Sequence, residues 1–273
     1  MSRLVWMLSF AVLALALPVQ AQWFEVPTRN VPRTPDGKAD LNASAPRTAD
    51  GKPDFSGIWQ MADRLSCDGV NRVCGDLPIT AKFLNLGSGI DGSLPYQPWV
   101  RDRIQQKGPA DDPYSRCIAP GGPRMHTLPT MKKWVQTAEM LIILDEYNSS
   151  YRQIFMDGRP LPRDPAPTWN GYSTAQWKED ELIIQSIGYR DDQWLDAAGS
   201  AVTSTGYVTE RIRRPNYGTL LIDLSVDDPK AYTRPWTVTL KLEAVVDTEL
   251  IESICAENEK DVQHFKAIPQ PPH

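Results

Sequence analysis

From residue 140 onward apolar and polar positions alternate, and the alternating runs come in pairs. Residues 140–146 and 151–156 flank Tyr147-Asn148-Ser149-Ser150; residues 171–178 and 181–188 meet at Glu179-Asp180. Residues 207–214 and 217–226 meet at Pro215-Asn216, and residues 236–246 and 249–255 at Asp247-Thr248. A period of two, rich in Val, Ile, Thr, Tyr and Trp, predicts half-buried strands, and the short links predict hairpins. Parallel strands need long crossovers, so these connections exclude a parallel sheet and predict an up-and-down antiparallel meander.

Upstream the pattern is broken. Residues 54–60 form a first strand-like run, and residues 62–96 are loop-like. Residues 98–107 suit a short helix with Trp99, Val100 and Ile104 on one side. Residues 108–130 return to turns, through Gly108-Pro109, Asp112-Pro113 and Ala119-Pro120-Gly121-Gly122-Pro123. Residues 22–54 read as an extended arm containing an imperfect duplication, Arg33-Thr34-Pro35-Asp36-Gly37-Lys38-Ala39-Asp40 and Arg47-Thr48-Ala49-Asp50-Gly51-Lys52-Pro53-Asp54. Two copies are too few for a solenoid.

A meander of eight or nine strands must hide its edges, and closure does so outright. The expected fold is therefore all-β and mainly antiparallel: a meander closed into a barrel over residues 55–265, with a loop and short-helix insertion at 62–130 and a tail at 266–273. A twisted open sheet and a sandwich are the competing architectures.

Residues 1–21 have the form of a signal peptide: Arg3, an apolar run to Leu17, then Pro18 and Val19-Gln20-Ala21 before the cut. The run is short for a bilayer of ~30 Å, which disfavours the alternative of an uncleaved anchor, and no later stretch could span. Export to a periplasmic or secreted location is expected. Net charge is −5, with Lys and Arg dispersed, so no basic stripe invites nucleic acid. Cys67, Cys74, Cys117 and Cys255 allow three pairings. Cys67–Cys74 and Cys117–Cys255 are favoured, and the second closes a loop that could contribute about 4 kcal/mol. A zinc site is the competitor, but the spacings give no Cys-x-x-Cys pair and only three histidines exist.

Gly57-Ile58-Trp59, at the start of the first strand, resembles the Gly-x-Trp signature of calycin (lipocalin-like) barrels, in which the Trp plugs the closed end. Longer runs resemble a family of uncharacterised exported bacterial proteins: residues 116–124 (Arg-Cys-Ile-Ala-Pro-Gly-Gly-Pro-Arg), 151–162, 227–236 and 255–261. That similarity covers most of residues 47–264. It implies export and a shared architecture and carries no activity. Relatives often hold a His-Ser/Thr-Glu-like cluster where this chain has Val202-Thr203-Ser204, so any chemistry of that cluster is partly lost here.

Strict alternation places charges on faces otherwise fit for an interior. Glu146 shares a face with Met140, Ile142 and Leu144; Glu210 lies between Val208 and Ile212; Glu252 lies between Leu250 and Ile254; Arg152 shares a face with Ile154 and Met156. Buried charge must be paired or poised for a ligand. These groups are either a register-fixing network or a polar patch in an apolar pocket, where a desolvated Glu210 or Glu252 acts as general acid or base. His126, beside Arg124, is the histidine available to join them, as base or anion contact, although a lone histidine in a loop is more often simply solvated. Arg124, Arg152 and Glu146 are the candidate polar ligand contacts. Tyr172, Trp177 and Tyr207, with Trp59, Trp169 and Trp236, are the candidate aromatic walls.

No Gly-x-Ser-x-Gly elbow, phosphate loop, His-Glu-x-x-His or dinucleotide fingerprint occurs, and no metal or cofactor is expected. Three functions are in view. The first is a barrel binding a small apolar or aromatic molecule; the second is a cofactor-free lyase, isomerase or hydrolase using an inward Glu with His126. The third is an envelope structural or interaction protein using exposed strand edges and the Pro-rich arms.

Overall fold

A computed structural model describes residues 26–62, 80–90 and 93–257. The signal peptide, the Cys67–Cys74 pairing and the C-terminal tail lie outside the described residues. Nine strands form one closed barrel in sequence order: β1 (Gly57–Met61), β2 (Lys132–Gln136), β3 (Met140–Asp145), β4 (Ser150–Phe155), β5 (Tyr172–Lys178), β6 (Glu181–Ile187), β7 (Tyr207–Asn216), β8 (Thr219–Asp227) and β9 (Trp236–Val245). The open-sheet and sandwich alternatives are thereby set aside. Every described strand has a neighbour on each side, although the β4–β5 seam is paired only at Phe155 and Thr174.

A closed ring with an odd number of strands cannot alternate direction all the way round, so one neighbouring pair must run parallel. That pair is β4 and β5, joined through Phe155 and Thr174, while every other neighbour is antiparallel. The return is made by residues 156–171, a surface segment carrying Pro160, Pro162, Pro165 and Pro167. An extended proline-rich crossover thus does what a helix does in most parallel pairs. The β7–β8 turn falls at Tyr217-Gly218, and Pro215 sits in a register shift between Arg213 and Asn216, where a missing N–H is tolerated.

The alternation of β6 to β9 is faithful: Leu182, Ile184, Val208, Ile212, Leu220, Ile222, Leu224 and Leu240 all face inward with no exposure. On β3 the inward face is Leu141, Ile143 and Asp145, not the Met140, Ile142, Leu144 and Glu146 face expected. Residues 249–255 form no strand; only Ser253 bridges to Tyr147. The first barrel strand after the insertion, β2, begins with two lysines, and Lys132 points into the core.

One end of the barrel is capped by residues 80–131 and 188–206. The cap contains α1 (Ala81–Leu84), α2 (Pro98–Gln106) and α3 (Arg124–Thr127). Asp196 joins its two parts, accepting from the Leu86 N–H at 2.8 Å and the Ser200 hydroxyl at 2.6 Å. Cys117 is disulfide-bonded to Cys255, as expected, which fastens the cap to the segment after β9. At the opposite end lies Trp59, fully buried, with its indole N–H donating to the Phe55 carbonyl. The Arg214 guanidinium stacks over that ring at 4.7 Å and donates to the carbonyls of Asp54, Ser56 and Tyr217.

The duplicated arm crosses this end. Each copy folds into the same turn: Arg33 and Arg47 donate to the carbonyls of Gly37 and Gly51, and Thr34 and Thr48 to those of Lys38 and Lys52. Each arginine then reaches a carboxylate on the barrel, Arg33 to Asp247 and Arg47 to Asp180. Among the described residues no helix is long and apolar enough to cross a membrane.

Candidate functional site

The barrel interior holds a charged cluster where the alternation of β4 and β7 places it. Arg152 and Glu210 have no exposure and form a two-pronged ion pair, Nη1 to Oε1 at 3.1 Å and Nη2 to Oε2 at 2.5 Å. Arg152 Nη2 also donates to the hydroxyls of Ser173 and Ser186, at 3.2 and 3.1 Å, which face each other across β5 and β6. His126 enters from the cap: α3 is buried along its whole length, and the ring stands 5.5 Å from that of Trp134. Its Nε2 lies 2.6 Å from Glu210 Oε1. This histidine is not a solvated loop residue; it is the group by which the cap plugs the barrel.

Electrostatics fix the protonation states. Burial raises the pKa of Glu210, but Arg152 and then His126 outweigh it and hold the carboxyl far below its usual range. Burial dominates at His126 and lowers its pKa against the pull of Glu210. A neutral imidazole beside an ionised carboxylate at 2.6 Å must carry its proton on Nε2, because the carboxylate only accepts. Nδ1 is then a bare acceptor, and it has no hydrogen-bond partner. Chemically this is a carboxylate-oriented base, sealed from solvent.

A second buried cation, at Lys132, escapes a reading of the sequence. Its Nζ donates to the carbonyls of Leu128 and Thr130 at 2.6 and 2.5 Å and lies 3.9 Å from Asp145 Oδ2. Burial pushes its pKa down to about 8, against the opposing pull of Asp145 and Glu146. Asp145 accepts from Thr130 Oγ1 and the Tyr147 N–H, both at 2.8 Å.

The remaining sequence candidates do not converge on this cluster. Glu252 is exposed, on a segment that is not a strand. Glu146 lies in the turn after β3, where Oε2 accepts from the Met131 N–H at 2.9 Å. Arg124 is locked by a buried two-pronged pair with Asp112 at 2.7 and 2.5 Å. Tyr207 is exposed at the start of β7, Tyr172 rests on the Phe155 ring, and Trp177 stacks on Phe55 beneath the arm. None of the three walls an interior compartment. The inward faces carry buried side chains, and among the described recesses none is lined by Glu210, Arg152 or His126.

Open space lies on the surface, in a recess of about 260 Å³ at the arm end, lined by Arg47, Asp180 and Arg213, and in larger ones at the cap. A recess of about 380 Å³ runs between the cap and the starts of β4 and β5. Its cap wall is Ile118, Ala119, Pro120 and Met125, the last adjacent to His126. Its barrel wall includes Tyr151, 57 % exposed, with Ser149 and Ser150, and Trp169-Asn170 closes it. The wall depends on two glycines. A Cβ on Gly121 would stand 2.2 Å from the Trp169 carbonyl oxygen, and one on Gly122, at φ +58°, would stand 2.6 Å from the Tyr189 ring. Only glycine lets the cap approach so closely. The run Pro120-Gly121-Gly122-Pro123 is the signal in the sequence, but it reads as a turn until the backbone opposite is known.

Among the described residues no group of three or more His, Cys, Asp or Glu is gathered as a metal site. In comparison with known proteins, no family model, no curated protein and no solved structure matches this chain.

Proposed function

We propose that this is an exported small-molecule-binding β-barrel protein whose guest sits at the capped end, in the recess beside Met125 and Trp169, and not inside the barrel. The observation that carries this reading is the recess itself. It joins aromatic and apolar walls to amide and hydroxyl groups, at a volume within the ~300–1,000 Å³ of ordinary ligand pockets. Among the described recesses none is lined by Glu210, Arg152 or His126, which favours a guest outside the lumen. The buried Glu210–Arg152–His126 cluster then acts as the anchor that fixes the cap, and so the recess, on the barrel. Export rests on the form of residues 1–21 and on the resemblance of the longer motifs.

The test is to expose purified protein to a metabolite extract, wash, and identify by mass spectrometry what is retained by wild type and by Ala119→Trp, which fills the recess. Retention by wild type alone is expected. Equal retention by both, or none by either, rejects the site.

A second reading has one observation in its favour: the unpartnered Nδ1 of a neutral His126 oriented by Glu210 is what a general base requires. A cofactor-free lyase, isomerase or hydrolase would need the cap to lift from the barrel to use it. If any turnover is found, Glu210→Gln must lower kcat; unchanged kcat removes this reading.

A further inference from the structure

We infer that the recess at the capped end recognises an uncharged polyhydroxylated ring, the chemistry of a neutral sugar or of the sugar end of a glycan. This deepens the ligand-site reading above and rests on it.

The lining decides the class by what it offers and what it lacks. Among the described lining residues there is no Asp, Glu, Lys, Arg or His. Two guanidiniums of the cap are engaged elsewhere: Arg124 with Asp112 in a buried pair, and Arg190 with Asp192 while it covers Trp169 at 4.9 Å. An anionic guest would bring its charge to a partly desolvated site with no cationic lining residue to answer it, and a cationic one would meet no lining carboxylate. The guest is therefore neutral.

It is also amphipathic. Among the described residues Tyr151 is the most exposed of the large apolar side chains; it stands at one side of the recess and Trp169 at another. Between them are two amides held rigid by backbone partners. Asn148 donates to the Cys117 carbonyl at 2.7 Å and accepts from the Cys255 N–H at 2.9 Å. Asn170 donates to the Tyr151 carbonyl at 2.9 Å and accepts from the Gly122 N–H at 3.2 Å. Each amide keeps one N–H and one lone pair free. Fixed amides supply donors and acceptors together, which suits hydroxyls, since each of these both donates and accepts. The aromatic walls suit the C–H face of a saturated ring. A flat hydrocarbon would cover the free amide groups without pairing them.

The test is titration of the whole protein, followed by tryptophan fluorescence and calorimetry, with neutral mono- and disaccharides, their methyl glycosides, the matching uronic acids and indole as a planar apolar probe. A saturable response to at least one neutral sugar is expected, roughly tenfold weaker for its uronate, and roughly tenfold weaker again in Tyr151→Ala but not in Tyr151→Phe. Equal binding of the methyl glycoside assigns a glycan end, and its loss assigns the free sugar; both support the class. Indole binding that Tyr151→Ala weakens, with no response to any sugar, overturns the sugar class and leaves the recess as a ligand site. No response to any probe, together with nothing retained from extract, overturns both.

Discussion

Glu210 is the residue on which the interior charge balance turns. Glu210→Ala strips the carboxylate from a guanidinium with no exposure and leaves the His126 N–H without its acceptor. A stability loss of about 3–5 kcal/mol is expected, because the remaining charge is buried and uncompensated. Arg152→Met with Glu210→Leu removes both charges, so the double variant should lose far less than the sum of the single ones. Urea denaturation of wild type, Arg152→Met, Glu210→Leu and the double variant checks this, and additive losses would show that the pair is not coupled. His126 sets a pH dependence. Its folded pKa lies below the free value of 6.5, so as pH falls the unfolded chain takes up this proton first. The contribution is therefore present above the unfolded value and lost below it. Glu210, also lowered in the fold, adds a loss only below its free value of 4.5. Between about pH 7.5 and 5.5 wild type should lose more stability than His126→Gln, which keeps a donor toward Glu210 but does not titrate. Parallel slopes for the two proteins would contradict a neutral buried imidazole.

At the scale of elements, the Gly121-Gly122 turn is what seats the cap. Gly121→Ala puts a methyl group against the Trp169 carbonyl, backbone that cannot swing aside, so the cap must move. The expected result is a loss of about 2 kcal/mol, within the range for overpacked sites, and loss of recess binding while the barrel's circular dichroism is unchanged. Binding that survives in Gly121→Ala would separate the cap from the site. The same element shows why the sequence is only partly legible. The hairpins β3–β4, β5–β6 and β7–β8 are readable because each alternates around a short turn, and Arg152 and Glu210 are readable as inward charges because Ile154 and Met156 share the face of the first and Val208 and Ile212 flank the second. On β3 both faces are aliphatic, so Ile142 and Ile143 compete equally and burial in the folded barrel decides between them. β2 is hidden because Lys132 looks like a surface residue until two cap carbonyls and Asp145 are placed around it. The burial of His126 is hidden because a four-residue helix has no periodicity to detect. The recess is hidden for a different reason: Pro120, Ser150 and Asn170 are brought together by the cap, across chain separations that no local pattern encodes.

For the whole molecule, the barrel and its cap are held by different means, and they should fail separately. The barrel is a closed ladder with an apolar interior, and its closure is completed by β1 pairing with β9. The cap rests on buried polar contacts, among them His126 with Glu210 and Asp196 with Ser200, and on the Cys117–Cys255 bond across a separation of 138 residues. Removing a cross-link over so long a loop should destabilise by about 4–5 kcal/mol in the chain-entropy model. The bond joins the cap to the segment after β9 and touches no strand of the ladder. Cys117→Ser/Cys255→Ser should therefore speed amide exchange in residues 113–130 and 250–257 well before it does so in β6 to β9. The arm at the opposite end should be unaffected, since its arginines pair with Asp180 and Asp247 at the end away from the cap. Hydrogen exchange with mass spectrometry resolves these segments. Uniform acceleration across the strands would mean that cap and barrel unfold as one unit, in which case the buried Glu210–His126 contact, and not the covalent bond, is the hinge of their cooperation.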